Sequence, residues 1–434
     1  MLSKHPIEET TTVLKRCLAA FAVTLCAAAA WGAPARIAAP APDADDALIA
    51  LGKGVPGFGG MFRDAEGATH VYMLDPTTRG AAVDKALGEL ARPSDETAGA
   101  PAILHRADFT FERLVAWKRA LGPVLSIPGV LSLDADEAHN RVTIGVARDL
   151  ATADRERLEL ALDAGEVPRG AVRLEEGEPF AALPLVVDKR AVPSAGIQDK
   201  VRPVPGGVQV AFGCTTTTCF ICTNGFTAQL GKTLGFVINS HCTGERGTVD
   251  FMRYSQSLPS GGSVATEIAD PPLFACDVGR RCRFSDAAFV KFDKKSFGSL
   301  AHIARPDGND PELGSLVMTP GTARFVVGGA GPSPLTGDVV HKIGRTTGWT
   351  YGEVVATCVQ VNVGDTDLTY GCQTAVAAGA AGGDSGSPVF TWNGGNTALL
   401  QGILWGGGVL GAQNVFVFSS LGQIQQELGT LKIK

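Results

Sequence analysis

Ser385 stands in the stretch "AAGAAGGDSGSPVFTW", directly after Asp384, among glycines and ahead of a proline and an apolar run. So little side chain around one hydroxyl suits a flexible turn, or a turn whose backbone N–H groups point at a reacting oxygen. The second reading makes Ser385 a nucleophile. A serine then needs a base, usually a histidine oriented by a carboxylate. The chain has seven histidines, and the last, His341, precedes Ser385. That order excludes the α/β-hydrolase arrangement, in which histidine follows serine. Gly-Asp-Ser-Gly-Ser at 383–387 also lacks the final glycine of that motif.

The base candidates near Ser385 in sequence are His241, His302 and His341. His341 alternates with apolar residues in "DVVHKIG", as a simple strand histidine would, and His302 in "SLAHIARP" carries no cue. His241 ends the apolar run of "VINSHCT" and precedes Cys242, so a disulfide would hold its backbone while the ring stays free. Among many carboxylates, Asp286 in "SDAAFVKF" opens an apolar strand, where it can be buried and accept from an imidazole. A plain turn aspartate is the competing reading.

Ten cysteines are present, and eight of them lie beyond residue 210: Cys214, Cys219, Cys222, Cys242, Cys276, Cys282, Cys358 and Cys372. An even number in an exported chain points to disulfides, and sequence alone leaves 105 pairings open. Cys219 and Cys222 have zinc-ligand spacing, but no second such pair follows; no metal and no cofactor is expected.

Taken together, "NSHCT", "SDAAFVKF" and "GGDSGSPVF" resemble the three active-site blocks of chymotrypsin-like (trypsin-like) serine peptidases. "IGRTTGWTYGEV" and "CTNGF" resemble the bacterial streptogrisin and α-lytic-protease-like branch. The resemblance spans roughly residues 205–434. It implies a nucleophile at Ser385, a base at His241, an orienting carboxylate at Asp286, and an oxyanion hole from the N–H groups of Gly383 and Ser385. It implies a substrate pocket from Gly379, Ala380, Ala381, Leu404, Trp405, Gly406 and Gly407, without charge and so suited to apolar residues. It implies a buried ion pair between Arg345 and Asp384, because no Ile-Val-Gly-Gly-like start offers an amine instead. A Cys222–Cys242 bridge follows the family; proximity and a hairpin reading of 352–372 add Cys214–Cys219, Cys276–Cys282 and Cys358–Cys372. Trp405 departs from the family, which usually has serine or a similar polar residue before the two glycines and gains from it a hydrogen bond near the triad carboxylate; here the indole N–H is the candidate substitute.

These residues need a scaffold. From about Val208 short β-type runs recur between Gly-rich turns, and only "LGQIQQELG" looks helical. Residues 33–195 are charged, cysteine-free and mixed. "DFTFERLVAWKRAL" and "TADRERLELALDAG" read as helices, the second with Thr152 as N-cap and Gly165 at its end. "VLSLDAD", "NRVTIGVA" and "AVRLEE" read as strands, and "DKRAVPSAGIQDKVRPVPGG" as a linker. The expected fold is mainly β, a two-barrel chymotrypsin-like peptidase domain preceded by a small α+β pro-domain.

Lys15 and Arg16, the run "CLAAFAVTLCAAAA" with Cys17 and Cys26, and small residues at 30–33 read as a signal peptide. The expected organisation is signal at 1–32, inhibitory or folding-assisting pro-region at 33–195 and peptidase at 196–434. The expected product is a secreted (extracellular or periplasmic) monomer acting on proteins or peptides, with its own pro-region as partner and no membrane attachment once the signal is gone. The net charge of −6 lies wholly in residues 1–200, which hold 22 basic and 28 acidic residues, so no basic footprint for nucleic acid exists. A catalytically silent, protein-binding relative and an esterase using the same triad are the alternatives.

Overall fold

The computed structural model describes residues 43–90, 101–189, 196–276, 279–318, 324–364 and 366–434. The expected signal, with Cys17 and Cys26, and residues 190–195 of the expected linker lie outside the described residues. The described chain falls within one compact unit.

The chain is mainly β. In residues 196–434 the strands build two large units. One follows a nine-stranded order that includes Phe226–Leu230, Thr233–Ile238, Ala288–Phe292, Ser263–Ala269 and Gln209–Phe212. The other centres on the hairpins Gly348–Asn362 with Leu368–Ala377 and Thr397–Leu410 with Gln413–Ser420. Their shared apolar core includes Phe236, Phe289, Phe325 and Ile403, all fully buried. The helix Leu421–Leu428 lies where expected and is followed by the short strand Leu431–Lys432, which pairs with Phe226–Leu230. The helix start is fixed by a capping box in which the Ser420 hydroxyl and the Gln423 side chain each satisfy the other residue's backbone N–H.

The described residues of 43–90 and 101–182 form an α+β layer with its own core, around Phe111, Leu114, Leu133, Ile144 and Leu158. The two expected helices are Phe111–Ala120, capped by Thr110, and Thr152–Ala164. Thr152 is the first helical residue rather than the cap: Ala151 holds that position without a side-chain bond. Helices Ala44–Gly52 and Ala81–Leu90 and strands Phe58–Arg63 and Thr69–Met73 are further elements that the sequence reading does not assign.

The N-terminal layer is joined edge to edge with the second β unit. Strand Val130–Asp136 pairs with Gly348–Asn362, and strand Val172–Ala182 pairs antiparallel with Thr397–Leu410. The buried ammonium of Lys118 reinforces this join, donating to Asp45 at 2.7 Å and to the Cys358 carbonyl at 2.6 Å. The expected linker is strand near both ends: Asp188 ends the strand Leu185–Asp188, which pairs with Thr218–Thr223, and Val204–Gly206 pairs with Gly298–Ala304.

Candidate active site

His241 ends the strand Thr233–Ile238 through a short turn, and Cys242 beside it is bonded to Cys222. Its Nε2 lies 2.8 Å from the Ser385 Oγ, and its Nδ1 makes a short hydrogen bond to Asp286 Oδ2. The backbone N–H of His241 donates to Asp286 Oδ1 at 3.2 Å, so main chain and ring are set by one carboxylate. Asp286 and Ser385 are fully buried. Burial opposes the charge of Asp286, but the neighbouring charges of His241 and Arg246 and the bond from His241 outweigh it and hold the carboxyl far below its usual range. The arrangement can deprotonate a hydroxyl and stabilise the imidazolium that results. His302 instead bonds to Ser299 and Leu300, and His341 accepts from the Trp349 indole, its pKa pushed down to about 4 by burial.

The loop carrying Asp286 is fixed by residues that motif reading missed. Arg283 is fully buried and donates to Asp270 at 2.8 Å and to the Ala287 carbonyl at 2.7 Å. Asp270 in turn accepts from the Ser240 hydroxyl at 2.7 Å, one residue before His241. Glu427, on the last helix, accepts from the N–H groups of Phe284 and Ser285 at 2.7 and 3.0 Å. Arg246 stands 3.8 Å from Asp286 Oδ1.

Trp405 takes a different route from the small polar residue expected there. Its indole is fully buried and donates to Gln373 Oε1 at 2.8 Å; the same oxygen accepts from the Ser419 hydroxyl, whose oxygen accepts the Asp286 N–H at 3.1 Å. Tyr370 packs edge-on to Trp405 at 4.8 Å. Burial first, then the charge of Asp286, pushes its phenol well above the usual range.

The turn before Ser385 depends on Gly383, whose φ is +95°. A Cβ there would lie 2.8 Å from Arg345 Cδ and 2.9 Å from Thr346 Oγ1, so side chains are excluded by conformation and by space. Asp384 is fully buried beneath this turn and accepts from the N–H groups of Thr346, Thr347 and Ala381. Its cation is not Arg345. Lys342 Nζ, also fully buried, lies 3.4 Å from Asp384 Oδ2. Alternation over Val339–Gly344 puts Lys342 on the same strand face as Gly344, which abuts the Asp384 carboxylate. Arg345 lies past the strand end and reaches over the Gly383 turn to Gln209, donating through Nε and Nη2 at 2.9 and 2.7 Å. The expected Arg345–Asp384 pair is therefore replaced by Lys342–Asp384.

The cleft in front of Ser385 is filled by residues 180–188. The Leu183 carbonyl accepts from the Gly383 N–H at 2.8 Å, and its oxygen lies 3.1 Å from the Ser385 Oγ. Gly406 and Gly407 pair with Ala182 and Ala181, and a Cβ on Gly406 would run into the Ala181 carbonyl. Ala380 and the side chain of Leu183 pack on the same apolar cluster, which contains Leu404. The other expected pocket residues do different work. Gly379 donates to the Pro311 carbonyl and abuts Glu312; Ala381 donates to Asp384; Trp405 faces the interior.

All eight described cysteines are in disulfides: Cys214–Cys219, Cys222–Cys242, Cys276–Cys282 and Cys358–Cys372. Cys219 and Cys222 thus belong to different bridges, and their sulfurs are not free to hold zinc. Among the described residues no helix is long and apolar enough to cross a membrane.

No protein-family model matches the chain, and no curated protein matches it. Solved structures do. Thermobifida fusca Protease A is 25% identical, with a TM-score of 0.37, over 53% of this chain and 97% of that one. A Cellulomonas bogoriensis chymotrypsin is 23% identical, with a TM-score of 0.35, over 53% of this chain and 98% of that one. An α-lytic protease homologue, N4, is 21% identical, with a TM-score of 0.38, over 53% of this chain and 99% of that one.

Proposed function

We propose that this chain is a serine endopeptidase, made as a latent precursor, that cleaves peptide bonds through an acyl-enzyme. The observation that carries the reading is the unbroken line from Asp286 through His241 to Ser385, ending on a peptide carbonyl held by Gly383. In this reading His241 takes the Ser385 proton as Oγ attacks the carbonyl carbon, and Asp286 stabilises the imidazolium. The N–H groups of Gly383 and Ser385 receive the oxyanion. His241 then returns the proton to the leaving amine, and water releases the acyl group by the reverse sequence.

Residues 1–32 act as an export signal, residues 33–195 as the inhibitory and folding-assisting pro-region, and residues 196–434 as the secreted, monomeric enzyme. The four disulfides favour an oxidising compartment. Apolar side chains are preferred before the scissile bond, because Leu183 packs on buried apolar side chains that include Val376, Leu404 and Phe416. A fluorophosphonate probe tests the reading: Ser385 should be labelled once residues 1–195 are removed by processing, and His241→Ala should prevent it. A processed, folded protein that leaves Ser385 unlabelled is instead a silent protein-binding relative.

A further inference from the structure

The segment over Ser385 does not end there. On one side of Leu183, residues 181 and 182 pair with Gly407 and Gly406. On the other side the chain continues through Pro184 into Leu185–Asp188, which pairs antiparallel with Thr218–Thr223. A product would stop at Leu183, whereas this chain crosses both halves of the cleft intact. Its side chains alternate as a bound strand's do. Leu185 and Val187 pack on an apolar patch that includes Ile221 and Leu258, while Pro184 and Val186 face outward. Phe180 is 1% exposed on the far side of Leu183.

We propose that residues 180–188 are an internal substrate mimic that the chain's own Ser385 cannot cut, and that Pro184 is the residue that makes it uncuttable. The inference rests on the peptidase reading above. Cleavage at this place would form a bond from Ser385 Oγ to the Leu183 carbonyl carbon and break the bond from that carbon to the Pro184 nitrogen. That nitrogen would have to take the proton carried by His241 Nε2, and water would then release the Leu183 carboxylate. The proline nitrogen carries a ring carbon where other residues carry hydrogen, on the atom His241 must approach. The carbonyl is therefore presented and held, but the leaving group is not protonated. Without its proline the same strand describes a good substrate, with Leu before the scissile bond and Leu second after it.

The test uses the full-length chain and intact-mass analysis. Pro184→Ala, and independently Pro184→Ser, should be cut between Leu183 and position 184 at least about 100-fold faster than the parent, the scale of lost proton transfer. The same substitutions combined with Ser385→Ala should remain whole. In parallel, the full-length double variant Leu183→Glu/Leu185→Glu, which expels the strand, should react with a fluorophosphonate at Ser385. If that variant reacts while both position-184 variants stay whole, the proline block is overturned and the peptidase reading stands. A cut that persists with Ser385→Ala also overturns the block, since another protease made it. Failure of both cutting and labelling removes the mimic and the peptidase reading together.

Discussion

The Leu183 carbonyl oxygen lies 2.8 Å from the backbone nitrogen of Gly383 and 3.1 Å from the Ser385 hydroxyl, so Ser385 meets a peptide of its own chain. The donor belongs to a residue at positive φ with no room for a Cβ. Gly383→Ala should lower turnover of the processed enzyme roughly 10²–10³-fold, the cost of losing one oxyanion donor. Active-site titration beside kcat measures it, since the number of folded sites should change less than their rate.

Lys342 and Asp384 are both fully buried and 3.4 Å apart. Burial pushes the Lys342 ammonium down, and Asp384 opposes that shift. Lys342→Met leaves Asp384 as a buried charge and should cost about 3–5 kcal/mol of stability. Arg345→Met removes bonds to Gln209 and Thr346 and a longer-range attraction to Asp384, and should cost less, about 1–2 kcal/mol. Denaturant midpoints of the two variants compare them; equal losses, or a larger loss for Arg345→Met, would contradict the assignment.

The join between the two parts of the chain carries a pH dependence. Glu137 is 1% exposed and accepts from Thr336 at 2.6 Å and Thr357 at 3.0 Å, both in the C-terminal part. Burial, reinforced by the charges of Asp136 and Asp45, pushes its carboxyl up to about 7 from an ordinary 4.5. A raised folded value means that the fold binds the proton more tightly than the unfolded chain does. The resulting stabilisation is fully present below about pH 4.5 and is lost as pH rises through about 7. Its size is roughly 3 kcal/mol. Thermal melts of the full chain should show Tm falling from pH 5 to pH 8, and Glu137→Gln should flatten that fall.

Trp405 reaches Asp286 only through Gln373 and Ser419. Trp405→Phe removes the donor and shrinks a fully buried ring system, and should cost about 2–4 kcal/mol of stability. Its effect on kcat should be only a few-fold, because His241 and Arg246 still face the carboxylate. A loss as large as that of Asp286→Asn would give the indole a direct part in the triad.

How much of this was legible depended on whether a residue announced itself locally. Ser385, His241 and Asp286 sit in short runs with a glycine, cysteine or apolar signature, and the fold brings them together as those runs suggest. The bridges Cys214–Cys219 and Cys276–Cys282 close small loops that sequence proximity suggests. Arg345 failed because reading by position favoured the basic residue in the motif, while strand alternation selects Lys342 three places earlier. Asp270 and Arg283 stand 13 residues apart with no motif joining them, and Glu427 lies far downstream on the last helix. The strand 185–188 was hidden as well: it forms only because Thr218–Thr223 offers an open edge. A stretch whose structure comes wholly from its partner carries little periodicity of its own.

The most direct test of the central claim, a competent serine held under its own chain, is time-resolved fluorophosphonate labelling of Ser385 followed by mass spectrometry. It should be run on the intact full-length protein and on the same protein after processing. The account predicts negligible labelling of the intact chain, rapid labelling after processing, and no labelling of either form with His241→Ala. Equal and rapid labelling of the intact chain would show that residues 180–188 do not cover the serine. Absence of labelling in a folded, processed protein would show that Ser385 is not a nucleophile.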